Sequence, residues 1–240
     1  MIVKGGRTNY GELIGILMLD TKFPRIYGDI GNALTFSFPV KYKKVVGATS
    51  QRVVKEADPS LIQPFIEAAK DLEEEGISAI TTSCGFLAVF QEYLAEAVNV
   101  PVFSSSLLQV PMVYRMLKKG QKVGIMTASK PHLTQLHFKG VGASHISVVV
   151  YGMEKEDEFP AVFLNQKETL DVSKAENEMV KVAQTMVKEN PDIGAIVFEC
   201  TNMPPFKKAV QNAVQLPVFD IVTLIHYVFN SLRINGETPR

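Results

Sequence analysis

The chain contains two cysteines, Cys84 and Cys200. Each closes an apolar run and is followed by small or polar residues, Thr81-Thr82-Ser83-Cys84-Gly85 and Phe198-Glu199-Cys200-Thr201-Asn202. In a parallel α/β sheet such strand ends are where ligands bind, beside the first amides of the following helix. A thiol there feels the positive end of the helix dipole, which favours thiolate and brings the ordinary pKa of about 8.5 toward neutral pH. Two such groups on opposite walls of a cleft can invert a carbon centre. A thiolate takes the proton from one face, a thiol delivers one to the other, and the roles exchange for the reverse direction. That reaction needs sulfurs roughly 6–7 Å apart, each about 3–3.5 Å from the reacting carbon, which excludes a disulfide. The carbanion between them needs donors. The backbone N–H groups of Gly85, Phe86, Thr201 and Asn202 are expected to supply them, with the Thr201 hydroxyl and the Asn202 amide. Helix capping, which Thr and Asn also do well, is compatible with that role.

The elements that must hold these residues follow from periodicity. Continuous apolar runs read as strands covered on both faces at Leu13–Leu19, Val45–Ala48, Ile77–Thr82, Val102–Ser104, Val123–Thr127, Ile146–Tyr151, Ile193–Phe198 and Val218–Ile221. Between them, helical spacing predicts helices over Pro59–Glu75, Phe86–Val98, Ser106–Lys119, Glu176–Asn190, Pro205–Val214 and Leu224–Leu232. The charged stretch 151–175 reads as an exposed loop or a helix. An internal echo organises the list. Ile77-Ser-Ala-Ile80 leading to Cys84 resembles Ile193-Gly-Ala-Ile196 leading to Cys200, and Asn99-Val-Pro-Val-Phe103 resembles Gln215-Leu-Pro-Val-Phe219 at the same offset. Gly15-Ile-Leu-Met and Gly124-Ile-Met-Thr form a third pair at a slightly shorter offset. Two copies of one α/β unit are therefore expected. One spans residues 1–115 together with 216–240, the other 116–215, with the active site in the cleft between their parallel sheets.

Composition narrows the function class. Twenty-five basic residues balance twenty-five acidic ones, so no overall field draws the chain to nucleic acid or to an anionic membrane. The run Leu13–Leu19 is too short for a membrane span, and the first twenty residues lack the layout of a signal peptide. The cytoplasm, where thiols stay reduced, is the expected compartment. His132, His137, His145 and His226 show no metal-ligand spacing, and Gly140-Val141-Gly142 lacks the rest of a dinucleotide fingerprint. No lysine lies in a recognisable pyridoxal motif, so a reaction without cofactor is expected. Arg7, Arg25 and Arg52 are the candidates for holding a distal carboxylate, although surface arginine is the commoner fate.

Paired strand-end cysteines in two half-chains, with Cys200-Thr201 in the second, resemble the aspartate/glutamate racemase superfamily. That group includes glutamate, aspartate and hydantoin racemases, maleate isomerase and arylmalonate decarboxylase. The resemblance implies a cofactor-independent racemase or epimerase of an amino acid or related small carboxylate, often a homodimer, with Cys84 and Cys200 as the two bases. It assigns Asp20 and Thr21 after the first strand, and Thr127 and Ser129 after the opening strand of the second half, to substrate binding beside Ser83, Gly85, Phe86, Thr201 and Asn202. The sequence departs from glutamate racemases in carrying Gly85-Phe86 where they have Asn-Thr, and Asn202 where they have His. These changes point away from glutamate and toward a more apolar pocket. A hydantoin racemase, a maleate cis-trans isomerase-like enzyme with a nucleophilic cysteine, and a non-catalytic small-ligand binder are the alternatives.

Overall fold

The computed structural model describes residues 5–232; residues 1–4 and 233–240, at the two ends of the first expected unit, lie outside that range. Strands β1 (Ile14–Met18), β2 (Val40–Lys44), β3 (Ala79–Thr82) and β4 (Val102–Phe103) form one parallel sheet in the order β2-β1-β3-β4. Strands β5 (Lys122–Thr127), β6 (Val148–Gly152), β7 (Ile193–Phe198) and β8 (Val218–Phe219) form a second, in the matching order β6-β5-β7-β8. The two sheets thus share one topology, with the cysteine-bearing strand in the same place in each.

Helices α1 (Ile62–Glu74), α2 (Gln91–Ala97) and α3 (Val110–Met116) accompany the first sheet, and α4 (Gln135–Gly140), α5 (Glu158–Phe163), α6 (Val172–Glu189) and α7 (Lys207–Val214) the second. Sequence explains how closely they pack. Gly15 in β1 and Gly124 in β5 occupy equivalent positions, and a Cβ at either would meet a helix side chain, Leu72 at 2.9 Å or Met186 at 3.0 Å. A glycine at each site lets the main helix settle directly on the sheet. The last helix, α8 (Ile221–Leu232), buries Ile221, Leu224 and Ile225 in one cluster with Ile14, Ile16, Ala79 and Phe103, against the first sheet.

Two expectations are corrected. Val45–Ala48 is not a strand: β2 is the preceding segment Val40-Lys-Tyr-Lys-Lys44, and 45–48 forms the turn after it, with Gly47 at positive φ. The reason is that β2 lies at the sheet's edge, where apolar continuity is not required and lysines guard the open side. Lys41, Lys43 and Lys44 pair with Glu75, Asp71 and Asp20. Second, the helix expected within 151–175 is present as α5, but the segment is not exposed there, because α5 buries Phe159, Val162 and Phe163 behind a charged sequence. Glu178 of α6 accepts the amides of Glu158 and Phe159 at 2.8 Å each, so a buried carboxylate caps that helix.

Candidate active site

Cys84 follows β3 by two residues and Cys200 follows β7 by two; both are buried, unbridged thiols. They line one small cavity whose apolar wall is Leu19, Phe23, Val54, Phe86, Ala128, Phe163 and Leu164. Its polar wall is Ser50, Ser83, Glu199, Thr201 and Asn202. The turns that carry the cysteines are joined directly, since the Thr201 hydroxyl donates to the Ser83 carbonyl at 2.6 Å. The free volume is about 20 Å³, room for roughly one water. The site is shut by residues on both sides. The Gln166 amide donates to the Ser50 hydroxyl at 2.7 Å, Lys55 Nζ donates to Asn165 at 2.9 Å, and Phe23 meets Phe163 edge-on at 5.1 Å.

Around Cys200 a buried polar chain fixes orientation. The thiol lies 3.5 Å from Asn202 Oδ1, and Asn202 Nδ2 donates to Asp29 Oδ2 at 2.7 Å. Asp29 in turn pairs with Arg25 at 2.8 Å. Backbone amides also aim at the sulfurs: those of Phe86 and Leu87 favour a Cys84 thiolate, and that of Asn202 favours a Cys200 thiolate. These donors do not win. Burial, followed by the neighbouring Glu199 charge, pushes both thiols well above their ordinary value. The expected thiolate shift is therefore reversed in this closed site. Part of the reason is local geometry. The segments after the cysteines, Gly85–Phe90 and Pro204–Phe206, are 3-10 turns, and the α-helical dipoles begin only at Gln91 and Lys207. Desolvation acts on the sulfur directly and dominates.

Glu199 is the charged residue that sequence reasoning passed over. Its side chain is fully buried and its pKa is pushed up to about 7, by burial first, against the bonds it accepts from Thr127 and Ala128. Thr127 Oγ1 donates to Oε2 at 2.7 Å, while Oε1 has no hydrogen-bond partner. Gly85 must be glycine because of Glu199: a Cβ there would stand 2.2 Å from its backbone carbonyl oxygen and 2.3 Å from Oε1.

The remaining assigned residues divide. Ser83, Phe86, Thr201 and Asn202 line the cavity, Gly85 backs it, and Thr127 reaches it only through Glu199. Asp20 and Thr21 are not in the wall. Asp20 turns toward the edge strand, accepting the Gly47 amide at 3.1 Å and pairing with Lys44, and these hold its carboxyl below the usual range. Thr21 accepts from Arg25 at 3.1 Å. Ser129 lies 2.7 Å from His132 Nδ1 instead of facing the cysteines. All three candidate arginines are engaged within the chain, Arg7 with the Gly76 carbonyl, Arg25 with Asp29 and Arg52 with Asp58. Asp29, Phe23, Ser50, Val54, Phe163 and Leu164 were not foreseen. Asp29 carried no signal in the sequence, whereas Glu199 did, as a carboxylate ending an otherwise apolar strand. A larger open groove, of about 410 Å³, lies elsewhere among Lys130, Tyr151, Glu154 and Lys181, and neither cysteine lines it. Among the described residues no cluster of His, Cys, Asp and Glu could hold a metal ion, and no helix is long and apolar enough to cross a membrane.

Comparison with known proteins places this arrangement. The chain is 32% identical over 216 residues to a dimethylsulfoniopropionate lyase of Durusdinium sp. clade D, covering 87% of this chain and 71% of that one. It is 33% identical over 220 residues to dimethylsulfoniopropionate lyase 7 of Emiliania huxleyi, covering 88% and 64%. A further Emiliania huxleyi relative, lyase 3, is covered over 60% of its length, so the chain spans somewhat under two thirds of some of these proteins. In fold it matches a glutamate racemase from Bacillus anthracis with a TM-score of 0.60 at 16% identity, covering 95% of this chain and 84% of that one. It also matches unliganded arylmalonate decarboxylase with a TM-score of 0.58 at 12% identity, covering 95% of each. The sequence pattern of the Asp/Glu/Hydantoin racemase family extends over residues 46–226, which takes in both cysteine turns and six of the eight strands. With twin sheets of one topology and a cysteine after the equivalent strand of each, the chain belongs to the Asp/Glu/Hydantoin racemase family.

Proposed function

We propose that this chain is a lyase that eliminates dimethyl sulfide from dimethylsulfoniopropionate or a close β-sulfonio carboxylate, with Cys84 and Cys200 moving the protons. The observation that carries the reading is the cavity wall: two thiols and a buried carboxyl faced by aliphatic and aromatic side chains. A thiolate removes the proton α to the substrate carboxylate. The electron pair forms the carbon–carbon double bond, the β carbon–sulfur bond breaks, and neutral dimethyl sulfide leaves with acrylate as the second product. The base finishes as a thiol.

Methyl groups on sulfur need no hydrogen-bond acceptors and suit Phe86, Phe163 and Leu164, with an aromatic face attractive to the cation. Apart from Glu199, whose Oε1 is free, the polar groups of the wall are already engaged: Ser50 with Gln166, Ser83 with Leu19, Thr201 with Ser83 and Asn202 with Asp29. An α-ammonium would have to compete for them. The raised thiols also fit a cationic substrate. A positive charge about 4 Å from sulfur contributes about 4 kcal/mol at an effective dielectric of 20, equal to roughly three pKa units in favour of thiolate. Without such a charge the thiols stay protonated, so the substrate creates its own base. The names of the relatives support this choice.

A racemase or epimerase acting on an amino acid or related small carboxylate is the second reading, favoured by the presence of a cysteine at both equivalent strand ends. One experiment separates the two. The protein is incubated in heavy water with dimethylsulfoniopropionate and, separately, with D- and L-amino acids, hydantoins and unsaturated diacids. Headspace gas chromatography reads dimethyl sulfide, and proton NMR reads acrylate and α-deuteration. Dimethyl sulfide with acrylate supports the lyase. Deuterium at the α carbon of an amino acid without dimethyl sulfide replaces it with the racemase, and no turnover of any substrate leaves a ligand binder.

A further inference from the structure

We propose that Glu199 is the proton acceptor of the cysteine pair: its free Oε1 takes the thiol proton when substrate enters and later releases it to solvent. The inference deepens the lyase reading and rests on it for the identity of the substrate. Position carries it. Glu199 directly precedes Cys200, and its Oε1 lies against Gly85, the residue after Cys84, so one carboxyl joins the two cysteine turns. Oε2 is occupied by the Thr127 hydroxyl and the Ala128 amide, whereas Oε1 is buried without a partner and Glu199 lines the cavity. An unpaired buried carboxylate oxygen is costly unless it gains a proton. The charge of Glu199 also acts on both thiols, so the three groups hold protons as one unit.

The cycle balances. In the empty site above neutral pH the unit holds two thiols and the Glu199 carboxylate. A sulfonium cation in the cavity draws one thiol proton onto Oε1, giving thiolate and carboxylic acid. The thiolate takes the α-proton and returns to thiol, dimethyl sulfide leaves, and the Glu199 acid loses its proton to water when the cavity opens. The net products are acrylate, dimethyl sulfide and one proton. The titratable groups around Glu199 are Cys84 from the turn after β3 and Cys200 on its own turn. Asp29, which also acts on Cys200, comes from the 20–31 loop and is already paired with Arg25. From the end of β5 come Thr127 and Ala128, which do not titrate, and farther along His132, bonded to Ser129. From 106–109 the Ser106 hydroxyl donates to the Glu199 carbonyl at 3.3 Å.

The test reads the substrate-free protein first, so that it does not depend on what the substrate is. Infrared difference spectra across a pH titration are expected to show a carboxylic acid carbonyl titrating near pH 7, lost in Glu199→Gln and moved upward in Thr127→Val, which removes a donor to Oε2. Thr127→Ser is expected to restore the original titration. Alkylation of Cys84 and Cys200 by iodoacetamide, followed by mass spectrometry, is expected to inflect at the same pH in the wild type. In Glu199→Gln the inflection near neutral pH is expected to be lost, while burial still holds both thiols above their ordinary range. With dimethylsulfoniopropionate, Glu199→Gln is expected to lose about a hundredfold in turnover, the lower end for a lost general base, and Glu199→Asp to regain part of it with the low-pH limb intact. If the carbonyl signal does not titrate near neutrality, or if the alkylation profiles of wild type, Glu199→Gln and Thr127→Val superimpose, the proposal is overturned, even if the lyase activity is present. If those signals behave as expected and no dimethyl sulfide forms, the proton acceptor stands and the lyase reading falls.

Discussion

Replacing Gly85 by alanine isolates the contact that joins the two cysteine turns. Gly85 does not have a positive φ, so alanine fits its backbone and the consequence is steric alone. The new Cβ would lie 2.2 Å from the Glu199 carbonyl oxygen and 2.3 Å from Oε1, where ordinary contact begins at 3.4 Å. Rotating the Glu199 side chain relieves only the second clash. The turns after β3 and β7 must therefore part by about 1 Å, carrying Cys84 away from Cys200. Overpacking of this kind costs about 1–3 kcal/mol. In a chain of this size each kcal/mol lowers Tm by about 2–4 °C, so Gly85→Ala is expected to melt roughly 2–12 °C lower. A misplacement of about 1 Å between reacting groups costs about a hundredfold in rate, well beyond what the loss of folded protein explains at 25 °C. Thermal denaturation followed by circular dichroism, with dimethyl sulfide release measured on the same preparations, provides the assay. Gly5→Ala, with nothing within 4 Å of its Cβ, is the control. A Gly85→Ala protein with wild-type Tm and wild-type turnover would show that the two turns are not in register contact, and the reasoning from that contact would fail.

Cys84→Ser or Cys200→Ser, whichever removes the base, is expected to abolish dimethyl sulfide release, since a serine hydroxyl is too weak an acid to replace it; full activity in both variants removes the cysteine mechanism. Asp29→Asn keeps the shape but leaves Arg25 unpaired and frees the Asn202 amide, so it is expected to lower stability by about 3 kcal/mol in urea denaturation. A change below about 0.5 kcal/mol counts against the Arg25–Asp29–Asn202 chain as a structural unit. Phe163→Ala is expected to cost about 3–5 kcal/mol and to let the site accept bulkier sulfonium substituents, read as a shift in relative kcat/KM toward diethyl over dimethyl substrates. For pH, Glu199 is raised to about 7, so the folded chain keeps a proton that the unfolded chain has lost; that stability is full below about pH 4.5 and disappears as pH rises through 7. His137, lowered to about 4 by burial, contributes in the opposite sense, losing stability as pH falls from 6.5 through 4. Glu199→Gln is therefore expected to leave stability rising between about pH 4 and 6.5, on the order of 3 kcal/mol in all, and a flat profile in that variant refutes the pairing of slopes.

What the sequence made legible was whatever repeats. The cysteine turns, the Gly15 and Gly124 strands and the Val-Pro-Val segments occur twice at matching offsets, and each pair takes equivalent places in sheets of one topology. Hydrophobic periodicity located seven strands closely because their runs are continuously apolar, whether buried in the middle of a sheet as β1, β3, β5 and β7 are or at an edge as β6 is. It missed β2 because this edge strand carries three lysines, which pair with acids on neighbouring elements instead of extending an apolar run. The charged stretch around α5 hid a buried aromatic face for a related reason: Glu158 and Glu178 look solvated until their partners, Lys167 and the helix amides, are seen. Within the site, residue type predicted chemistry better than it predicted electrostatics. A strand-end cysteine promises thiolate only when water or a full helix dipole accompanies it, and neither the 3-10 turns nor the closure by Phe23 and Phe163 can be read from composition.

That same closure bears on which reaction the site favours once a proton has been taken. Inversion and elimination begin alike, with a thiolate abstracting the hydrogen beside a carboxylate. They part in what happens to charge. Inversion of an amino acid regenerates a thiolate and an ammonium of the kind that entered, so a dry wall gains nothing along the way. Elimination from a sulfonium consumes both charges: thiolate becomes thiol and the cation departs as a neutral sulfide. Neutralising opposite charges is favoured where the surroundings solvate them poorly, so the apolar wall stabilises the eliminating transition state relative to the bound ions. On the lyase reading, the low-dielectric cavity that suppresses thiolate favours a substrate that brings a positive charge and loses it. Substituting Phe163 or Leu164 with a polar residue of similar size would test this directly: added solvation is expected to slow dimethyl sulfide release, and an unchanged rate would refute the argument.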